Sequence, residues 1–147
     1  MQFGLDEETR EEENVQDNAE NTEPKRKRQP FAYWTVGGET YRLKLTTSVI
    51  CQLENQFKKN LMEIISSGTI PPLAVMLTIT QGAMRPWHHK IKFMDVQKLF
   101  DRYCEEGGTQ LTFMTDVLMP IYSVSGFFSA SQQEAMDAKM EDLKESL

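Results

Sequence analysis

A mainly α fold of the α+β kind, an N-terminal β-hairpin followed by a compact bundle of about four to five helices, is predicted by three features of the chain. Gly37-Gly38 separates two short β-rich runs, apolar residues recur at helical spacing from Val49 to Ile121, and neither pattern exists before Gln29. The fold follows element by element from local chemistry.

Glycine accepts positive φ without a Cβ penalty, so Gly37-Gly38 permits the primed turns whose twist matches that of paired strands. Tyr33, Trp34 and Val36 precede the pair; Tyr41, Leu43 and Leu45 follow it, and alternation is clear only in the second run. Thr46 and Thr47 offer a hydroxyl to the free amides of a helix start, after which Val49, Ile50, Leu53 and Phe57 share one face. Asn60 is placed to cap a second short helix, with Glu63 completing a capping box and Gly68 ending the run of Leu61, Ile64 and Ile65. Pro71 or Pro72 suits the first turn of a third helix, Leu73 to Met84, whose residues are apolar nearly all round, as in a helix covered on several sides.

Arg85-Pro86 stops that helix, and Trp87-His88-His89-Lys90 forms a loop. Between Phe93 and Glu106, Val96, Leu99, Phe100 and Tyr103 make the inner face of a surface helix closed by Gly107-Gly108. Thr109 caps the next helix, striped by Leu111, Met114, Val117, Leu118 and Ile121, and Pro120 is expected to bend it because its ring removes a backbone donor. Ser125-Gly126-Phe127-Phe128 closes a domain of residues 30–128. Residues 129–147 form a separate C-terminal amphipathic helix or flexible tail, in which Ser131 and Glu134 suggest a capping box and Met136, Met140, Leu143 and Leu147 recur in a narrow stripe.

Charge is unevenly distributed. Nine of the 22 acids lie in the first 23 residues, and residues 1–29 hold too few apolar side chains to offset ordering entropy, so this leader is expected to be disordered. Nine acids face five bases up to Gln29 and 13 face 11 after it, so the folded part carries little of the net charge of −6 and is no obvious nucleic-acid surface. The basic run Lys25 to Arg28 reads as a solvated linker, the alternative being a weak, salt-sensitive nucleic-acid contact or a localisation signal. Cys51 and Cys104 fall inside predicted helices, as core or boundary residues of a protein in a reducing cytosol. With no apolar run long enough for a secretory signal or a membrane span, a soluble intracellular protein is expected.

The residues give little support to bond-breaking chemistry. His88-His89 are adjacent in a loop and lack further ligands at a recognised spacing, Gly37-Gly38 lacks the Lys-Ser/Thr of a phosphate loop, and neither cysteine has an evident partner base. Asp101, Glu105 and Glu106 read as solvated surface. No catalytic residue, cofactor or metal is therefore expected, and the chain reads as a binding protein rather than an enzyme. Met62, Met76, Met84 and Met114 are assigned to the core; the candidate partner-contact residues are Phe127, Phe128, Met136, Met140, Leu143 and Leu147. Phe127-Phe128 has the alternative role of locking the domain.

From Tyr41 to Phe128 the chain resembles the tail assembly chaperones of long-tailed bacteriophages and related prophages. The resemblance rests on YRLKLTTSVICQLENQF, the short LMEII helix, RPWHHKIKFMDVQKLFDRYCEEGG and the closing SGFF; Lys58 stands where such chains often carry Gly, and Lys92 where they often carry a Ser, Thr or Asp cap. It implies a non-enzymatic factor of the bacterial host cytoplasm that holds the tape measure protein, recruits the major tail tube protein and is absent from the mature virion. Self-association is left open. Alternatives are a structural virion component, such as a tail terminator or head-tail connector, and a small nucleic-acid-binding regulator acting through Lys25 to Arg28.

Overall fold

Gly37 and Gly38 take φ values of 61° and 78°, the two positive values of a type I′ turn, and join β1 (Ala32–Val36) to β2 (Glu39–Leu43). This computed structural model describes residues 29–146, so the leader up to Arg28, with its expected disorder and its basic run, lies outside the described residues, as does Leu147. The strands are antiparallel, with Ala32 opposite Leu43 and Trp34 opposite Tyr41. Ala32, Trp34, Val36 and Leu43 face the core, leaving Tyr33, Thr35, Thr40 and Arg42 outside.

A two-stranded hairpin is marginal alone, and here it is fastened to distant residues. The Lys44 N–H donates to the Ala83 carbonyl (3.0 Å), the Arg42 N–H to His88 Nε2 (3.3 Å) and the Leu45 N–H to Ser125 Oγ (3.0 Å). At the turn, the Gly37 N–H is shared by both carboxylate oxygens of Glu106 (3.1 and 3.2 Å), of which Oε2 also accepts from Arg102 Nε at 2.9 Å. Glu106, read from the sequence as simple surface, is therefore a clasp between the turn and a helix end.

The helices begin much as the sequence indicates. Thr46 Oγ1 accepts the Val49 N–H at the start of α1 (Thr47–Phe57), which ends at Lys58 in the left-handed region (φ 56°). Asn60 Oδ1 accepts the Met62 N–H to start α2 (Leu61–Ile65), without the expected reciprocal bond to Glu63; the neighbouring Leu61 N–H donates to Glu54 of α1 at 2.9 Å. Glu54 projects from the neighbouring helix toward an amide that would otherwise be half-buried without an acceptor. Pro72 caps α3 (Leu73–Met84), the central helix, in which Met76, Leu77, Ile79, Thr80, Gly82, Ala83 and Met84 are buried. The Thr80 hydroxyl donates to the Met76 carbonyl and so brings no unpaired polar group into the core.

Lys92 has no side chain suited to capping α4 (Phe93–Glu105), and the Asp95 carboxylate instead accepts the Lys92 N–H at 2.9 Å. The helix closes with a Schellman motif: the Gly108 N–H meets the Tyr103 carbonyl and the Gly107 N–H that of Cys104. Thr109 then caps a continuous helical rod made of α5 (Gln110–Phe113), a π turn (Met114–Leu118) and α6 (Met119–Val124). Pro120 was expected to disturb this rod; the wider π turn directly before it, with the Met119 N–H reaching back to the Met114 carbonyl, absorbs the missing donor. The last helix, α7 (Ala130–Glu145), starts from a capping box of Ser129 and Gln132, not Ser131 and Glu134.

Around Trp34 gathers an aromatic cluster: Phe113 lies edge-on at 5.1 Å and Tyr103 at 5.9 Å, with Phe100 against Phe113 at 5.3 Å. Buried Tyr122 donates its hydroxyl to the Leu61 carbonyl (2.8 Å), tying α6 to α2, and burial raises its phenol above the ordinary tyrosine range. Met76 and Met84 are core residues, whereas Met62 and Met114 are half-buried against it. Both cysteines are exposed, contrary to expectation, because Val49, Ile50 and Leu53 fill the inner face of α1 and Val96, Phe100 and Tyr103 that of α4. Among the described residues no helix is long and apolar enough to cross a membrane.

The clasp carries a pH signature. The Gly37 amide first, and then Arg102, hold the Glu106 carboxyl below the ordinary carboxylate range. A carboxyl whose folded value is lowered adds stability that is present above its unfolded value and is lost as the pH falls through the folded one. Glu106→Gln is expected to be less stable than the wild type at neutral pH, with the gap closing as denaturant midpoints are taken through the carboxylate range. A gap unchanged down to about pH 2 would show that the Glu106 charge is not what the clasp uses.

Candidate partner-binding surfaces

The six partner-contact candidates divide by burial. Phe128 is buried, and Phe127 is half-buried with its ring 4.7 Å from Tyr122, a placement that fits the locking role. Met136, Met140 and Leu143 lie half-buried on one side of α7, with the two methionines packed against the core, while Leu147 lies outside the described residues. No residue of α7 is buried. Lys144 Nζ meets Asp116 Oδ1 of the π turn at 2.9 Å, a contact that raises the lysine's pKa. Both side chains are about half exposed (46% and 47%), so the pair adds at most about 1 kcal/mol. A helix held this way is an arm resting on the body, with a flexible methionine seam underneath.

A second surface lies on the outer face of the hairpin and was not foreseen from the sequence. Tyr33, Thr40 and Arg42 form one wall of a groove of about 430 Å³, and Pro86, Trp87 and His88, wrapping round from the end of α3, form the other. Strand alternation puts Tyr33 and Arg42 on this face, and the His88 bond to the Arg42 amide brings the loop over it. Phe31 stands edge-on to Trp87 at 5.0 Å; the Arg42 guanidinium lies 4.7 Å from the Phe31 ring centre and 5.8 Å from that of Trp87, and Lys44 Nζ is 5.8 Å from Phe31. His88 also packs edge-on against Tyr41 (5.3 Å), whose hydroxyl donates to Glu39 and whose phenol is raised by burial and by that carboxylate.

The groove combines apolar walls with cations stacked on rings. Tyr33 is 55% exposed, and the Trp87 indole N–H is buried without an acceptor among the described residues. From Arg85 to Lys92 the chain reads RPWHHKIK, with three permanent cations, two histidines and no acid. Such a surface suits an apolar or aromatic side chain flanked by carboxylates. His88 accepts from the Arg42 amide, His89 is exposed, and among the described residues no group of three or more His, Cys, Asp or Glu is placed to hold an ion. The sequence signal for the groove was the mixed aromatic and cationic loop taken together with the outward strand positions, two segments more than forty residues apart.

Among known proteins, a family model described as a family of unknown function, DUF6096, matches residues 33–147. No curated protein and no solved structure matches the chain.

Proposed function

The chain belongs to the DUF6096 family, whose function is unknown, and we propose that it is a tail assembly chaperone of a long-tailed phage or prophage. In this role it works in the host cytoplasm, holds the tape measure protein in soluble form, recruits tail tube subunits and is left out of the finished particle. The observation that carries the reading is α7, sixteen residues with none buried, seated on the body by half-buried Met136 and Met140, with Leu143 half-buried on the same side. A long amphipathic partner helix is recognised through apolar anchors three and four residues apart, and a methionine seam that re-packs easily suits many successive registers along it. Exchange of α7 for a partner helix costs little, because its own contacts are few and half solvated.

Co-expression with the tape measure reading frame tests this. Full-length protein is expected to retain the tape measure on affinity resin, and a chain ending at Phe128 to lose most of it while keeping its helical circular dichroism spectrum, since Phe128 and the rest of the core remain. Equal retention by the two chains would refute the role of α7. Mass spectrometry of purified virions separates this reading from a structural virion component, which would persist in the particle.

A further inference from the structure

Among the described residues the cations of the hairpin groove form no ion pair with an acid, and the same chain has acids without an assigned role. Among the described residues Arg42 meets no carboxylate; its guanidinium lies over Phe31 and Trp87. Lys44, Arg85, Lys90 and Lys92 lie in the two segments that form the groove, and Arg85 to Lys92 holds no acid. The first 23 residues have the opposite character, with nine acids and one base, ahead of the basic run Lys25 to Arg28. Phe3 and Leu5 are followed by Asp6, Glu7, Glu8, Glu11, Glu12 and Glu13, interrupted by Thr9 and Arg10. It is also tied at the right place, joining the described chain at Gln29, two residues before Phe31 at the groove's rim.

We propose that the groove is a docking site for the chain's own acidic leader, with Phe3 and Leu5 against Tyr33, Pro86 and Trp87 and the acids that follow them against Arg42, Arg85 and Lys90. Reach is no obstacle. By random-coil arithmetic, about 25 residues cover a root-mean-square distance of roughly 25–30 Å, comparable to the width of a small domain. Tethering at that length gives an effective concentration in the millimolar range, so even a weak contact is populated within one molecule, ahead of an acidic ligand supplied at micromolar concentration. The attraction is between exposed charges and is therefore screened by salt. The leader thus acts as a built-in competitor, and an outside acidic segment gains the groove only by displacing it. This inference uses only the groove and the leader, and it stands apart from the tail-assembly reading.

The chain has two tryptophans, so its nitrogen-proton spectrum carries two indole resonances, assigned with Trp87→Phe. The full-length wild type is compared with a full-length variant in which Asp6 becomes Asn and Glu7, Glu8, Glu11, Glu12 and Glu13 become Gln. The Trp87 resonance is expected to move by more than a linewidth, while that of Trp34, enclosed in the core, stays and reports an intact fold. Raising NaCl to about 0.5 M is expected to move the wild-type Trp87 resonance in the same direction and to leave the variant's unchanged. In an Arg42→Gln background the leader substitutions are expected to have no further effect. A Trp87 resonance that is the same in wild type and leader variant at low salt overturns the proposal, and leaves the acids to pair with Lys25 to Arg28 or with solvent. A difference that fades on tenfold dilution also overturns it, since the occupant would then be the leader of a second copy.

Discussion

Trp34→Ala is expected to lower the stability of the domain by about 3–5 kcal/mol, the usual cost of removing a large aromatic side chain from a packed interior. Against a total of about 5–15 kcal/mol for a domain of this kind, that loss brings the protein close to unfolding. Trp34 is 2% exposed and stands where hairpin and helices meet, edge-on to Phe113 and Tyr103. Alanine would leave both rings facing a void that the strand above cannot fill, because the hairpin is pinned by residues 83, 88, 106 and 125. The Trp34 indole N–H has no acceptor among the described residues, so Trp34→Phe discards an unpaired donor, worth about 1–3 kcal/mol of desolvation, along with part of the ring. The expected order in urea is wild type, then Trp34→Phe close behind, then Trp34→Ala far below. If alanine cost less than about 1 kcal/mol, the hairpin would be an ornament on the helices and not a wall of the core.

Gly82→Val is expected to cost about 2–3 kcal/mol, near the upper end for overpacking. A Cβ built at Gly82 of α3 would lie 2.9 Å from Val49 Cγ1 and 3.3 Å from Leu53 Cδ1 of α1, so these two side chains pack directly on the glycine. Alanine recovers about 1 kcal/mol of helix propensity but asks Val49 to move, and a β-branched residue in a helix has one strongly preferred rotamer. These effects nearly cancel, so Gly82→Ala is expected within about 1 kcal/mol of the wild type. Valine adds two more methyl carbons to the same seam and has no such compensation. Equal denaturant midpoints for Gly82→Val and the wild type would mean that α1 and α3 sit further apart than described.

Local chemistry was the readable part of this chain. The Gly37-Gly38 turn, the caps at Thr46, Asn60 and Thr109 and the extent of Leu73–Met84 all depend on residues a few positions apart, and each is found as expected. Where two local solutions competed, pattern could not choose: Ser129 with Gln132 and Ser131 with Glu134 both spell a capping box, and the helix uses the first. Proline 120 announced a defect but not its form, since a kink and a π turn both accommodate a missing donor. The exposed cysteines followed from a competition for the inner face that neighbouring larger side chains won. Most of what was hidden is long-range. Glu106 serves an amide 69 residues away, and the groove exists only once the hairpin and the loop after α3 are brought together.

The clasp at Glu106 and the bond from the Leu45 amide to Ser125, 80 residues on, also impose a timetable. While the chain is being made, the strand pair emerges first but is not fully seated until α3 through α6 have followed, since its anchoring acceptors are spread from Ala83 to Ser125. Contacts between residues so far apart pay their loop-closure entropy before they reward it, so the earliest part of the domain to be synthesised is secured only by its later parts.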